Sequence, residues 1–377
     1  MRLLRLLIAT FVSIGLAVVL VVSPASAQPA FDPPGLDRAI EAQEGHTDAL
    51  LTIQGVVGTA VGLGANGQAV VKIYTEKSGI GGLPRSLDGV PVVVQVTGKI
   101  FALNKPDENG DHDHGNGGGD NGETAVDPTS KFDWPVPISV SSGTERLINV
   151  NGLLFCTVGT LAARVKDNSG NLYALSNAHV YAVEGSDPVG NVIGARILQP
   201  GRVDMTDQAC GSVDEIDAAE IGTLSAFVEI LFDGPDNTVD AAIASTTTAL
   251  VHNATPADGY GTPKSTTVDA SINQKVMKYG RTTSLTKGTI KGINVTIRVG
   301  YDNGVARFVG QIEVRGDKGP FIKGGDSGSL LVVDAPGDPD NLKPVGLLFA
   351  GNRNGKTAFA NPIGAVLGAF GVTIDGQ

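Results

Sequence analysis

The chain has 377 residues, enough for two domains, and 41% of them are hydrophobic, so the composition does not describe a globally disordered protein. Its 51 glycines are about twice the usual share, which favours many tight turns between short strands. The formal net charge of −11 argues against a nucleic-acid partner, because phosphate binding calls for a basic surface, and serves solubility instead.

Residues 1–27 have the layout of a cleaved export signal: Arg2 and Arg5 at a basic start, a mostly apolar run over 7–22, and the small residues Ala25-Ser26-Ala27. The apolar run is shorter than the ~18 residues expected of a spanning helix, so the mature protein is expected to begin at Gln28 without an integral membrane span and to be secreted, in the periplasm or outside the cell. Residues 34–104 form a candidate small α+β domain. Leu36, Ala39, Ile40, Leu50 and Leu51 suit one face of a helix over Leu36–Leu51, with Gln43 and Thr47 on that same face and Gly45 interrupting it. Runs 56–62 and 69–74 read as strands around the turn Gly64-Ala65-Asn66-Gly67, 84–88 as a short helix and 90–96 as a further strand. His46 reads as a surface helix residue.

Residues 105–138 read as an acidic, Gly-rich linker; Gly, Asn, Asp and His dominate 107–123 and leave almost nothing to bury. Asp111-His112-Asp113-His114 offers metal-ligand side chains but no packed surroundings to orient them, so no metal is expected. From 139 to 377 the texture is one of short β-type runs, at 153–165, 172–175, 276–279, 288–299, 307–314, 330–333 and 344–349. Many short strands with Gly at the turns argue for a mainly β barrel or sandwich. Residues 362–370 suit a terminal helix, with Pro362 near its first turn and Gly371 past its end. Cys156 and Cys210 both lie in this unit, and an exported chain with two cysteines is expected to pair them, closing a segment that contains His179.

Gly324-Gly325-Asp326-Ser327-Gly328-Ser329-Leu330, followed by the apolar Leu331-Val332-Val333, is the stretch with the most chemistry in it. A serine is a poor nucleophile at neutral pH and needs an adjacent base and donors for an oxyanion; flanking glycines let consecutive backbone N–H groups turn towards one point. His179 ends the apolar run Leu175-Ser176-Asn177-Ala178, and Asp240 opens Asp240-Ala241-Ala242-Ile243-Ala244, so the order is His, Asp, Ser. His252 is the rival base, and Asp204 and Asp217 are rival acids. An esterase on an α/β fold would place its histidine after the serine, the reverse of what is found.

Together these segments resemble the trypsin-like (chymotrypsin-fold) serine proteases, bacterial secreted type with an N-terminal extension, over roughly residues 150–377. The resemblance implies two antiparallel β-barrels with the active site between them. It makes Ser327 the nucleophile, His179 the general base and then acid, and Asp240 the residue that orients the imidazole. The backbone N–H groups of Gly325 and Ser327 would form the oxyanion hole. Phe321, six positions before Ser327, would line the floor of the substrate pocket, and Phe349-Ala350-Gly351 would hold the substrate backbone and form a pocket wall. With Phe321 in place of an acid, a preference for Arg or Lys is not expected. The sequence departs from the family in lacking an Ile-Val-Gly-Gly activation segment before Cys156, so Asp326 is expected to hydrogen-bond within its own loop. The expected function is that of a serine endopeptidase acting on polypeptides without a cofactor. The alternative is a protease-like domain without general proteolysis, serving self-processing or protein binding.

Overall fold

A computed structural model of the chain describes residues 32–103, 125–150, 153–183, 192–206 and 209–377. The leader expected over 1–27 and the Asp111–His114 run lie outside the described residues.

Helix α1 (Leu36–Leu51) buries Ala39, Ala42, Leu50 and Leu51. Gln43 and Thr47 share that buried face because both bond Thr59 on the next strand, through Gln43 Nε2 and Thr47 Oγ1 at 2.7 Å each, so no polar atom is stranded there. Strands β1 (Val56–Leu63) and β2 (Ala69–Thr75) form an antiparallel hairpin under the helix. The short helix expected over 84–88 is instead a strand, β3 (Ser86–Leu87), hairpinned to β4 (Val90–Val96). Asp88 and Gly89 take φ of 48° and 79°, the two left-handed positions of a two-residue hairpin turn, and this Asp-Gly signal outweighs the local helix pattern. After β4, which runs parallel to β2, the chain makes one more strand, β5 (Ile100–Ala102).

The first barrel contains β6 (Ser141–Thr144), a separate hairpin of β7 (Ile148–Val150) and β8 (Leu153–Phe155), then β9 (Gly159–Thr160), β10 (Ala163–Asp167) and β11 (Leu172–Ser176). A one-turn helix, α2 (Ala178–Tyr181), follows, and then β12 (Arg196–Leu198), α3 (Val213–Asp217), β13 (Glu220–Phe227) and β14 (Ala242–Thr246). The strands are ordered β10-β11-β14-β13-β12-β6-β9. Since β9 and β10 belong to one stretch of chain, the sheet curls back on itself around Ile138, Leu161, Ala174, Ile197, Leu224 and Ala244.

The second barrel comprises β15 (Lys275–Lys278), β16 (Thr286–Tyr301), β17 (Gly304–Gly316), β18 (Leu330–Val333), β19 (Pro344–Asn352) and β20 (Thr357–Pro362). Every neighbouring pair is antiparallel, and β15 pairs with both β18 and β16, so the ring β15-β18-β19-β20-β17-β16 closes, leaving edge positions only where the ends of β16 and β19 run past their ring partners. Helix α4 (Ile363–Phe370) ends at Gly371 in the left-handed region (φ 64°), and β21 (Val372–Ile374) returns to pair with β10. Leu175, Val239 and Ile243 of the first barrel meet Leu330, Val332 and Leu347 of the second in one apolar layer. The architecture is therefore mainly β, two barrels of the chymotrypsin type preceded by a small helix-containing α+β unit, as the resemblance implied.

One feature of the second barrel reaches beyond it. The β16–β17 hairpin is longer than its neighbours, and its distal part, at Ile293, Thr296 and Ile297, pairs with β1, so the strands of the N-terminal unit continue the barrel's sheet. A buried cluster clasps this junction: Glu313 of β17 is ion-paired with Lys72 and accepts from Tyr74 Oη at 2.7 Å and Gln95 Nε2 at 2.8 Å. Burial first, and the Glu313 charge second, raise the Tyr74 phenol well above its usual range, so it stays a donor.

Candidate active site

Strand register brings His179 and Asp240 together. In the antiparallel β11–β14 pair Ser176 lies opposite Ala242, so the residues just after β11 and just before β14 emerge at the same end of the sheet. His179, in α2, donates from Nδ1 to Asp240 Oδ2 at 2.5 Å, and its backbone N–H donates to Oδ1 at 3.2 Å. Tyr301 Oη donates to Oδ2 at 3.0 Å. The Asp240 backbone is also held, its carbonyl by Asn177 Nδ2 at 2.7 Å and its N–H by Asn361 Oδ1 at 3.1 Å. A fully buried carboxylate is thus met by three donors, which offsets its desolvation. The carboxylate at Nδ1 fixes the tautomer and leaves Nε2 with its lone pair; Nε2 is buried and has no hydrogen-bond partner among the described residues.

Ser327 sits on the second barrel's side of the same junction, on the turn before β18. Gly325 and Gly328 have φ of 92° and 89°, and a Cβ at 328 would come within 2.3 Å of the Thr160 carbonyl and 2.4 Å of Ser176 Oγ, so the turn requires glycine there. The loop is strapped to β9: the Ser327 carbonyl accepts from Thr160 N at 2.7 Å, and Thr160 Oγ1 donates to the Gly325 carbonyl at 2.9 Å. Gly159 shows how near α2 lies, since a Cβ there would sit 2.5 Å from Val180 Cγ2 and 2.8 Å from the Ser327 carbonyl. Ser327 Oγ itself donates to the Phe349 carbonyl at 3.3 Å, and no hydrogen bond joins it to His179 Nε2.

Asp326 is held more widely than by its own loop. It accepts from Lys323 N at 2.9 Å within that loop, and from Thr282 N (2.9 Å), Thr283 N (3.1 Å) and Thr283 Oγ1 (2.7 Å) on the segment after β15. Lys278 Nζ lies 3.4 Å away, and both side chains of this pair are fully buried. Burial lowers the Lys278 pKa, and the Asp326 charge works against that fall.

The residues expected to bind substrate face another part of the same chain. Ala350 pairs with Ala102, Gly351 with Phe101 and Asn352 with Ile100, so β5 lies antiparallel along β19. The Gly325 N–H donates to the Leu103 carbonyl at 2.9 Å. Phe321 is fully buried in a cluster with Ile322, and Leu103 packs against that cluster. A Cβ on Gly351 would meet Ile322 Cγ2 at 3.0 Å and Leu103 Cδ1 at 3.2 Å, so Leu103 packs closely against that wall. Phe349 points into a different layer, its ring centroid 4.8 Å from that of Phe308.

The rivals are engaged elsewhere. Asp204 is bonded by Arg281 and by Ser141 Oγ (2.6 Å), Asp217 pairs with Arg196 at 2.6 Å, and His252 Nδ1 accepts from Ala254 N at 3.0 Å in its own loop. Cys156 and Cys210 form a disulfide with Cα atoms 5.7 Å apart. Among the described residues no three His, Cys, Asp or Glu side chains converge as metal ligands do, and no helix is long and apolar enough to cross a membrane. Tyr301, Asn361, Lys278 and Leu103 were not foreseen from the sequence, for all four act across long stretches of chain and sit in no motif.

The family model described as the Nal1 C-terminal domain matches residues 261–363. No curated protein matches the chain. Solved structures with a similar fold include a glutamic acid-specific serine protease (18% identity, TM-score 0.40, covering 63% of this chain and 100% of that one). Thermobifida fusca Protease A is similar at 18% identity and a TM-score of 0.40, over 64% of this chain and 100% of that one. A Cellulomonas bogoriensis chymotrypsin is similar at 19% identity and a TM-score of 0.39, over 65% and 100% respectively.

Proposed function

We propose that this protein is an exported serine endopeptidase with Ser327 as nucleophile, His179 as general base and then acid, and Asp240 as the orienting carboxylate. The observation that carries the reading is the buried His179–Asp240 pair, whose outer nitrogen has no hydrogen-bond partner among the described residues and whose helix, at Val180, packs on Gly159 next to the Ser327 carbonyl. In this reading Ser327 Oγ leaves the Phe349 carbonyl, to which it donates at 3.3 Å, and pairs with Nε2. The imidazole then takes the hydroxyl proton as Oγ attacks the scissile carbonyl, and Asp240 stabilises the imidazolium. The N–H groups of Gly325 and Ser327 receive the oxyanion. His179 next passes its proton to the leaving amine, and water releases the acyl group by the same route. The β19 edge suits a polypeptide substrate, because an extended chain adds to it as a further strand. Export is supported by the layout of residues 1–27 and by the disulfide, a bond that persists in oxidising compartments.

Occupation of the cleft by β5 favours a second reading, in which the domain serves only its own N-terminal segment and has no general proteolytic role. The test is labelling with a fluorophosphonate, applied to the full chain and to Leu103→Asp, which introduces a charge into the apolar pocket and unseats the strand. Label on Ser327, with casein hydrolysis by the variant, is expected for the endopeptidase. A variant that takes the label but leaves casein and peptides intact supports the second reading. No label on either protein overturns both.

A further inference from the structure

Hydrogen bonds, strand pairing and burial define how residues 100–103 lie in the cleft. The Leu103 carbonyl accepts from the Gly325 N–H at 2.9 Å, the place where the carbonyl under attack belongs in the proposed reaction. The residues before it run antiparallel to β19 and, on their other flank, parallel to the end of β16, where Ile100 lies opposite Val299 and Phe101 opposite Gly300. Strand alternation follows: Ile100 and Ala102 are buried, while Phe101 is 41% exposed. Leu103 puts its side chain against the cluster of Phe321 and Ile322, beside Gly351. Further back, Asn352 Nδ2 donates to the Thr97 carbonyl at 3.0 Å. This is the posture of a substrate's acyl side, and it accounts for the complete burial of Ser327 and His179 in a cleft that ought to open to solvent.

We infer that the chain is its own first substrate, cut on the carboxyl side of Leu103, that the N-terminal piece remains in the cleft as an inhibitor, and that the pocket selects leucine-sized aliphatic side chains. The inference rests on the peptidase reading above. In the cut, Ser327 Oγ bonds to the Leu103 carbonyl carbon while its proton passes to His179 Nε2. The C–N bond after Leu103 breaks, and His179 returns the proton to the departing amine. One water then hydrolyses the ester, leaving a Leu103 carboxylate and restoring the serine hydroxyl, so one chain plus one water gives two chains. The piece has reason to stay. The β1–β16 pairing and the Glu313 cluster with Lys72, Tyr74 and Gln95 do not depend on the broken bond. Selectivity follows from the lining. Phe321 and Ile322 offer no charge or hydrogen-bonding side chain, so a Lys or Glu in place of the half-buried Leu103 would find no partner on them.

The test compares the full chain with Ser327→Ala and Leu103→Asp, all produced alike, by intact mass and amino-terminal sequencing. The unaltered chain is expected to give a piece ending at Leu103 and a new amino terminus at residue 104, with the two pieces co-eluting. Ser327→Ala is expected to stay whole. Leu103→Asp is expected to lose that cut, to take a fluorophosphonate on Ser327 faster than the unaltered chain, and to hydrolyse peptides with Leu before the scissile bond at least ~100-fold faster than those with Lys or Glu. If Ser327 takes the label and peptides are cut, but the chain is whole or is cut at another bond, the inference falls and the peptidase reading survives. Cleavage at residue 104 in Ser327→Ala also overturns it, since the cut then comes from elsewhere. Absence of label and of peptide hydrolysis in Leu103→Asp sinks the peptidase reading and this inference with it.

Discussion

In the first barrel His179 and Asp240 already stand in their paired arrangement, 2.5 Å apart with three donors around the carboxylate. In the second barrel the Ser327 hydroxyl turns to the Phe349 carbonyl, and the Gly325 N–H is taken by Leu103. The difference lies in what fixes each half. Strand register sets the first: Ser176 opposite Ala242 leaves His179 and Asp240 little freedom. Another segment of the chain bears on the second: β5 lies along Ala350–Asn352 of β19 and Leu103 takes the Gly325 N–H, groups that a substrate would need in the proposed reaction. Under the proposed function, such a site is half assembled by folding and would be completed by exchange of one strand for another.

Removing the nucleophile is the largest disruption of the second half. As the proposed nucleophile, Ser327 should carry about six orders of magnitude in kcat, so Ser327→Ala on a Leu103→Asp background should reduce peptide hydrolysis to the residual level that binding and oxyanion donors alone sustain. Asp240→Asn strikes the first half and should cost about four orders of magnitude in kcat by favouring the wrong tautomer, with the thermal melt showing the fold retained. Asp204→Asn is the informative control. It loosens Arg281 and Ser141, so its effect is expected in the melt and not in kcat. If the folded Asp204→Asn variant is the one that loses turnover, the acid has been placed on the wrong segment.

Two braces, one per barrel, come next. The disulfide joins positions 54 apart in the first barrel, and the chain-entropy model assigns such a closed loop about 4 kcal/mol, an upper-end figure. A Cys156→Ser, Cys210→Ser double variant should show this loss in denaturant melts, and an unchanged midpoint would mean the loop is held by other contacts. In the second barrel Lys278→Met leaves Asp326 buried without its cation. Breaking such a pair typically costs about 3–5 kcal/mol, and the low end is expected because four other donors remain on Asp326. Adding Asp326→Asn should recover part of the loss; if it does not, the two side chains are not coupled.

Much of this arrangement was legible because it is local in sequence. The helix over Leu36–Leu51, the strand ahead of His179, the Gly-rich turn around Ser327 and the cysteine pair each leave a short signature. The two-barrel form came from the family resemblance that the motifs carry, since short alternating runs fit a sandwich equally well. What stayed hidden is long-range. Strand β5 is three residues whose pairing depends on two exposed edges about 200 and 250 positions away, and nothing in Ile100-Phe101-Ala102 announces that. Lys278 looks like any strand-end lysine until Asp326 faces it. The missed β3–β4 hairpin is a different case: the Asp88-Gly89 turn signal was present at the end of the stretch read as a short helix.

The smallest predicted effect tests how separately the two barrels build their halves of the site. Tyr301 belongs to β16 of the second barrel, yet its hydroxyl donates to Asp240 Oδ2 at 3.0 Å, and its ring meets that of His179 edge-on with centroids 5.9 Å apart. Tyr301→Phe keeps the ring and its contacts with Phe232 and Phe308 while deleting one hydrogen bond to a buried carboxylate. A hydrogen bond to a charged group contributes about 1.5–3 kcal/mol, so kcat should fall by roughly 10- to 100-fold. KM should hold, because the lost bond acts on the imidazole's partner and not on bound substrate. The neighbouring residue, Gly300, pairs with Phe101 of β5, so the strand that contacts the cleft's occupant also steadies Asp240. Measured on the Leu103→Asp background, a fall in kcat at constant KM and unchanged melting temperature would mean that the second barrel completes the first barrel's pair. A loss confined to the melting temperature would return Tyr301 to a packing role and leave the His179–Asp240 half standing on its own register.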